Sequence, residues 1–291
     1  MPVAPWRRYV AIGDSFTEGM CDPDPDAPDE FVGWADRLAT LLARVARARS
    51  VEFSYANLAV RGRLLDDVVD RQLPLGLELR PDLISIVGGA NDIMRARVDL
   101  TALAGRLERA VEAARAMGAD VLLATPTDPA GAPLIRALRG RHAIHTANVW
   151  TIARRHRCHV IDQWGFTALQ DWQMWAEDRI HMTTEGHRRV ALAAFAALGL
   201  GPVDLGPHHV GPFDLGSFDQ GPTGAGLISD RAWETPLPTR PAPGRVEWAR
   251  QNKDWAAQYL GPWVRRRLTG RSSGDLRHAK RPELTRLDVA D

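Results

Sequence analysis

The stretch "RRYVAIGDSFTEGM", Arg7–Met20, decides how the rest of the chain is read. Tyr9–Ile12 is a short apolar run that stops abruptly at Gly13-Asp14-Ser15. Strands buried on both faces carry such runs, and a glycine at the end lets the chain turn sharply. The turn presents an aspartate and a serine at the carboxyl end of the strand. Two readings follow: turn chemistry alone, or a serine held as a nucleophile at the mouth of a sheet.

Outward from this stretch the pattern recurs. Strands are expected at Tyr9–Ile12, Phe53–Leu58, Leu83–Val87, Asp120–Ala124 and His159–Asp162. Helical runs separate and follow them at Gly33–Arg47, Leu64–Leu79, Leu100–Met117, Leu134–His156 and Thr184–Leu198, the last with Thr183 or Thr184 as N-cap. In the third run, Leu103, Leu107, Val111 and Ala114 share one helical face. Five βα units predict an α/β fold: a three-layer α/β/α sandwich around a five-stranded, parallel, doubly wound sheet of flavodoxin-like type. Such sheets bind ligands beyond the carboxyl ends of their strands, where strand order reverses.

Residues 1–200 then make the main domain. Residues 201–230 form a Gly/Pro-rich connection that no regular element survives. Residues 231–291 are a basic helical extension. Within it Val246–Leu268 is expected to be helical, with Trp248, Trp255, Tyr259 and Trp263 as anchors docking it on the main domain. The polar end, from Gly270, is expected to be mobile.

Composition narrows the function classes. With 45% hydrophobic and 25% charged residues, the 291-residue chain has the makeup of an ordinary globular protein. A formal net charge of +1 argues against a molecule built to bind polyanions. The extension holds 13 Lys and Arg against 7 Asp and Glu. That excess is read as packing back on its own domain, so no nucleic-acid partner is expected. No apolar run approaches the ~20 residues of a membrane span. The two cysteines, Cys21 and Cys158, suit a reducing compartment, and no apolar leader precedes the first strand. A cytoplasmic location is the expectation.

A serine nucleophile needs a base, an orienter for the base, and donors for the oxyanion. Strand ends can be asked for each. The second ends in "NLAVRGR", where Gly62 offers a backbone N–H, or merely ends a turn. The third ends in "SIVGGANDIM", where Asn91 offers a side-chain amide, or an Asx turn. After the fifth comes "WAEDRIHMTTEGHRR", in which Asp178 and His181 stand three residues apart. At that spacing the carboxylate can accept the imidazole Nδ1–H and fix its tautomer. His187 is a rival, but it falls inside the last helix.

Taken together, Gly13-Asp14-Ser15, Gly62, Gly89-Ala90-Asn91-Asp92 and Asp178-Arg179-Ile180-His181 resemble the blocks of the SGNH (GDSL-type) hydrolase superfamily. The resemblance covers the first two-thirds of the chain. Phe16 stands where the eponymous motif has leucine, and is expected to pack beneath the turn. The extension also resembles tails on some bacterial members. The resemblance implies a serine hydrolase that cleaves carboxylic esters by way of an acyl-enzyme. Ser15 is the implied nucleophile, His181 the base and Asp178 its orienter. The N–H groups of Ser15 and Gly62 and the amide of Asn91 form the implied oxyanion hole. It implies a small-molecule ester substrate and neither metal nor organic cofactor. Carbohydrate O-deacetylation, lysophospholipid or thioester cleavage, and acyl transfer are alternatives on the same site. Further alternatives are a non-catalytic binding protein and a flavodoxin-like carrier, the latter leaving Asp178 and His181 unexplained. Histidine groupings at His142/His145, His156/His159 with Cys158, and His208/His209 lack a recognisable metal-ligand spacing. Trp164, Trp172 and Trp175 precede the Asp178 loop, and core packing is expected for at least two of them. Arg61 and Arg63, flanking Gly62, suit either an anionic substrate or a structural role.

Overall fold

Tyr9, Val10, Ala11 and Ile12 are wholly buried because β1 (Arg8–Gly13) lies inside the sheet with helices on both sides. The computed structural model describes residues 6–27, 29–132, 135–200, 232–235, 237–238, 244–262 and 272–288. The Gly/Pro-rich connection, including His208 and His209, falls outside them, as does Trp263.

Four strands join β1 in parallel: β2 (Ser54–Asn57), β3 (Leu83–Val87), β4 (Asp120–Ala124) and β5 (His159–Ile161). Val10 lies opposite Ala56 on one side and Ile84 on the other. A sixth strand, β6 (Arg281–Arg286), pairs antiparallel with β2, so the order is β5-β4-β3-β1-β2-β6. Strand order reverses between β1 and β3, which puts the turns after those two strands at the predicted ligand position. The sheet thus holds the five parallel strands expected, and the segment expected to be mobile adds an edge strand to them. Its sequence, "RPELTR", is too polar to announce a strand. At an edge, however, backbone pairing with a neighbour matters more than apolar side chains.

The helices, in chain order, are α1 (Ser15–Glu18), α2 (Gly33–Ala48), α3 (Leu65–Asp67), α4 (Leu73–Glu78), α5 (Ala90–Ile93), α6 (Leu100–Ala116), α7 (Arg139–His156), α8 (Thr184–Ala197) and α9 (Arg245–Trp255). Strand side chains alternate between two cores, as period-two geometry requires. Tyr9, Ala11, Tyr55, Leu83 and Leu122 join Trp34 and Leu38 of α2 and Val190 and Phe195 of α8. Val10, Ile12, Ala56, Ile84 and Val121 join Leu65 and Leu73 of α3 and α4, Leu107 and Val111 of α6, and Val149 and Ile152 of α7. These are the three layers.

Two helices depart from expectation. The run Leu64–Leu79 is split by a π-helical turn at Val68–Gln72, with Pro74 in the first turn of α4. Pro74 has no N–H to give, and the wider turn brings Gln72 onto β1. Helix α7 begins at Arg139, after a 3-10 turn at Arg136–Leu138, and so starts later than Leu134. Among the described residues no helix is long and apolar enough to cross a membrane.

Candidate active site

The turn after β1 is fixed from three sides. The Gln72 amide pairs with both backbone groups of Gly13, donating to its carbonyl (2.9 Å) and accepting from its N–H (2.8 Å). A Cβ on Gly13 would lie 2.5 Å from the Val87 carbonyl and 2.6 Å from Thr17 Oγ1, so only glycine fits. Asp14 caps α1 by accepting from the Phe16 N–H (3.1 Å). Burial pushes the Asp14 carboxyl up to about 6, against the hydrogen bond from Phe16 and the charge of His181. Ser15, the first residue of α1, is left half-buried at the rim of a cavity.

On the other side, Thr183 caps α8 by accepting from the Gly186 N–H (3.3 Å) and ends the loop that carries Asp178 and His181. Asp178 Oδ1 accepts from the N–H groups of Ile180 and His181, both at 2.9 Å. Its Oδ2 accepts from His181 Nδ1–H at 2.5 Å. Ser15 Oγ–H then reaches His181 Nε2 at 2.9 Å. These three side chains, 166 residues apart in sequence at the extremes of the Ser15–His181 contact, form one hydrogen-bonded chain. Burial alone would lower the His181 pKa, but the hydrogen bond and charge of Asp178, joined by Cys21, carry it up to about 9. Asp178 is held below the usual carboxylate range: burial would raise it, and His181 outweighs burial.

His187 plays a different part. It is wholly buried, accepts from the Trp34 N–H at Nδ1 (3.2 Å) and donates from Nε2 to the Met20 carbonyl (3.1 Å). Burial pushes its pKa down to about 4. It is stacked on Phe16 at 5.8 Å, while Phe16 also stacks on Trp34 at 5.5 Å. Phe16 therefore packs beneath the turn and lines the cavity as well.

Asn91 lines the same cavity as Ser15 and His181. Its Nδ2 donates to Asp14 Oδ2 (3.2 Å) and to the Arg63 carbonyl (3.1 Å). Its neighbour Asp92 accepts from the Leu65 N–H (3.0 Å), so the turn after β3 fastens the loop after β2 at two points. Gly62, at φ +73°, sits in that loop but does not line the cavity. Arg61 is structural: its N–H donates to Glu18 Oε2 (2.6 Å) and its guanidinium clasps the same carboxylate. Arg63 lies 4.0 Å from Asp67.

The cavity measures about 500 Å³, within the range of small-molecule sites. Met94, Ile135, Leu169, Trp172 and Trp175 give it an apolar wall. Trp172 and Trp175 thus face the cavity, and of the three tryptophans Trp175 alone also packs against a core, where core packing is expected for at least two. Trp164 does not line the cavity and lies beneath the Arg139 guanidinium. Asn252 and Trp255 of α9 also line it. Trp255 Nε1 donates to the Asp178 carbonyl (3.0 Å), and the Arg179 guanidinium sits between the rings of Trp172 and Trp255.

Sequence reasoning missed the roles of Asp14 and Cys21; it expected Trp255 to dock the extension on the main domain, but not at the cavity beside Asp178. Asp14 stood in plain view within Gly13-Asp14-Ser15. Cys21 Sγ lies a long 3.9 Å from Asp178 Oδ2, and only the fold brings them together. Cys21, Asp178 and His181 form one group of potential metal ligands, and Glu108, Glu112 and His156 another. In the second, His156 is accounted for by its 2.8 Å contact with Glu108 Oε1. His142 bonds to the Leu138 carbonyl and His159 to the Ala197 carbonyl, each at 3.0 Å.

Residues 11–189 match the model of the GDSL-like lipase/acylhydrolase family. Among solved structures, LAE5, an alpha/beta hydrolase enzyme from the metagenome of Lake Arreo, Spain, is 25% identical, with 67% of this chain and 95% of that one covered and a TM-score of 0.56. Axe2, an acetylxylan esterase from Geobacillus stearothermophilus, is 21% identical over 68% of this chain and 97% of its own, with a TM-score of 0.56. TesA is 20% identical over 66% and 98%, with a TM-score of 0.53. Comparison with curated proteins finds no significant match.

Proposed function

The chain belongs to the GDSL-like lipase/acylhydrolase family, within the SGNH hydrolase superfamily, and from that premise we propose that it cleaves carboxylic esters through Ser15, His181 and Asp178. A hydrolase acting on ester bonds is what the family establishes; the residues and the substrate class are our reading. One observation carries it: the unbroken hydrogen-bonded chain from Asp178 through His181 to Ser15, ending at the rim of an apolar cavity. Two of the Axe2 structures are described as catalytic mutants, one with a serine and one with a histidine replaced by alanine.

In this reading His181 takes the Ser15 proton as Oγ attacks the ester carbonyl. Asp178 holds the imidazole with Nδ1 protonated and Nε2 free, and stabilises the imidazolium that forms. The tetrahedral oxyanion is met by the Ser15 N–H and by Asn91, whose amide turns from Asp14 toward the substrate. The Gly62 N–H joins them in this reading although Gly62 is outside the cavity lining, because Glu18 and Asn91 hold Arg61 and Arg63 on either side of it. Each such donor contributes about 3 kcal/mol to lowering the barrier. His181 then passes its proton to the leaving alkoxide, and a water activated by the same base releases the acid.

The apolar wall of the cavity suits an acyl chain longer than acetyl. A panel of p-nitrophenyl esters from acetyl to decanoyl, assayed with EDTA present, tests both points. Hexanoyl or octanoyl esters are expected to outrun acetyl. Loss of activity with EDTA, restored only by a divalent ion, would contradict the proposed chemistry. Met94→Trp should fill part of the cavity and cut kcat/KM for octanoyl esters about tenfold or more while sparing acetyl, since poor fit of even one methylene costs ~1–3 kcal/mol. Equal losses on both esters would remove Met94 from the acyl site.

A further inference from the structure

Residues 272–288 lie well beyond the family match at 11–189, yet they meet the candidate oxyanion loop directly. Ser272 Oγ donates to the Gly62 carbonyl (3.2 Å) and accepts from the Gly274 N–H (3.1 Å). Asp275 Oδ2 accepts from the Ser272 N–H (2.9 Å) and closes the turn. The two backbones touch so closely that side chains are excluded from both. A Cβ on Gly62 would lie 2.1 Å from Ser272 Oγ, and one on Gly274 would lie 1.9 Å from the Arg61 carbonyl oxygen.

A second tie lies a few residues on. Lys280 Nζ is within hydrogen-bond reach of four oxygens: the carbonyls of Glu18 (2.7 Å), Phe31 (2.7 Å) and Val32 (2.6 Å), and Asp36 Oδ2 (2.7 Å). An ammonium has three protons to share among them, so every one is used. Glu18 ends α1, the helix that starts at Ser15, and its carboxylate holds the Arg61 N–H. Lys280 therefore grips the far end of the nucleophile helix through Glu18, and Glu18 grips the residue before Gly62. The Ser272–Gly274 turn presses on Gly62 from outside.

We propose that Lys280 and the Ser272–Gly274 turn are positioning elements that set the Gly62 N–H at the distance from Ser15 that the oxyanion requires. The proposal rests on the reading of Gly62 as an oxyanion donor. None of these residues touches substrate. Their effect runs through Glu18 and Arg61, and through the Gly62 carbonyl. A loop that drifts by an ångström from the reacting atoms loses about 100-fold in rate. The catalytic unit then includes a strand and a turn that follow the family match by some eighty residues, and β6 anchors them by pairing with β2.

The experiment compares Gly274→Ala, Ser272→Ala, Lys280→Met and Lys280→Arg in the full chain on one octanoyl ester. Active sites are counted by stoichiometric labelling with a fluorophosphonate, so turnover is expressed per competent site and an unfolded fraction cannot masquerade as slow chemistry. Gly274→Ala and Lys280→Met are expected to lower kcat about 10- to 100-fold per site. KM should change little, and the pH midpoint of the acid limb should stay with the His181–Asp178 pair. Lys280→Arg should recover part of the loss, and Ser272→Ala should lose less than Gly274→Ala. Unchanged kcat per site in Gly274→Ala would overturn the proposal, whatever becomes of the lysine variants. So would a loss confined to the number of sites. An unaltered chain that neither turns over esters nor takes the label would overturn the hydrolase reading itself, and this proposal with it.

Discussion

Replacing His181 by alanine is expected to lower ester turnover by about four orders of magnitude or more, and replacing Ser15 by alanine to do the same. The two share one hydrogen bond at 2.9 Å and act in one proton transfer, so the double variant should be little worse than either single one. Asp178→Asn should also be severe, because an amide can hold the imidazole in the wrong tautomer. His187→Ala is the control. Its nitrogens are taken by Trp34 and Met20, not by Ser15 or Asp178. Each group left unpaired should cost about 1–3 kcal/mol of stability, with turnover largely kept. Circular dichroism on every variant separates folding from chemistry.

The pH dependence follows from the same pair. Asp178 raises His181 to about 9, so the base is mostly protonated at neutral pH. kcat/KM should climb from pH 7 through a midpoint near pH 9, well above the 6.5 of a free imidazole, and level off about a pH unit beyond it. Asp178→Asn should bring that limb down. Stability runs the other way. A histidine raised in the folded state contributes stability that is complete below about 6.5 and fades as pH rises toward 9. Activity should therefore rise through the window in which this contribution is lost.

Arg37→Met should cost about 3–5 kcal/mol of folding free energy, the second large effect. Asp22 is wholly buried, and Arg37 is only 3% exposed. Arg37 Nε and Nη2 each donate to the carboxylate at 2.9 Å, and the Gly33 N–H donates at 3.0 Å, with the Thr184 hydroxyl also bonded to it. Removing the guanidinium leaves a charge with neither water nor a cation beside it. Burial alone would raise the Asp22 pKa, but Arg37 holds it below the usual range. The paired carboxylate thus adds stability above about pH 4 that is lost as pH falls through its folded pKa. Without Arg37, burial dominates and the carboxyl protonates at higher pH. The difference between the two proteins, measured by urea unfolding, should be widest at neutral pH and shrink on acidification. Asp22→Asn combined with Arg37→Met should recover part of the loss, since the amide oxygen can still accept from Gly33.

Much of this was legible in residue order. The strand through Tyr9–Ile12 and the turn at Gly13 follow from apolar run and glycine, and Leu83–Val87 and Asp120–Ala124 have the bounds expected. Ser15, Asp178 and His181 could be named because each lies next to a strand end or helix start that local patterning marks. The expectation for Asn91 was half the story: its amide is spent on Asp14 and Arg63, which only the packed turns reveal. β6 was invisible because its strand character comes from β2's unpaired edge and not from its own side chains. The π-helical turn at Val68–Gln72 escaped for a related reason. A helix of uniform pitch fits the apolar spacing, and the demand that displaces it is Gln72's pairing with Gly13. The place of Trp255 beside Asp178 likewise depends on a fold-back across 77 residues.

The most direct test of Ser15 as nucleophile is the site of covalent capture by a fluorophosphonate ester, read by peptide mass spectrometry on the full chain. The expected result is one adduct per chain, on Ser15, forming faster as pH rises toward 9 and absent from Ser15→Ala. An adduct on any other residue, or full esterase activity in a protein whose Ser15 stays unlabelled, would contradict the account.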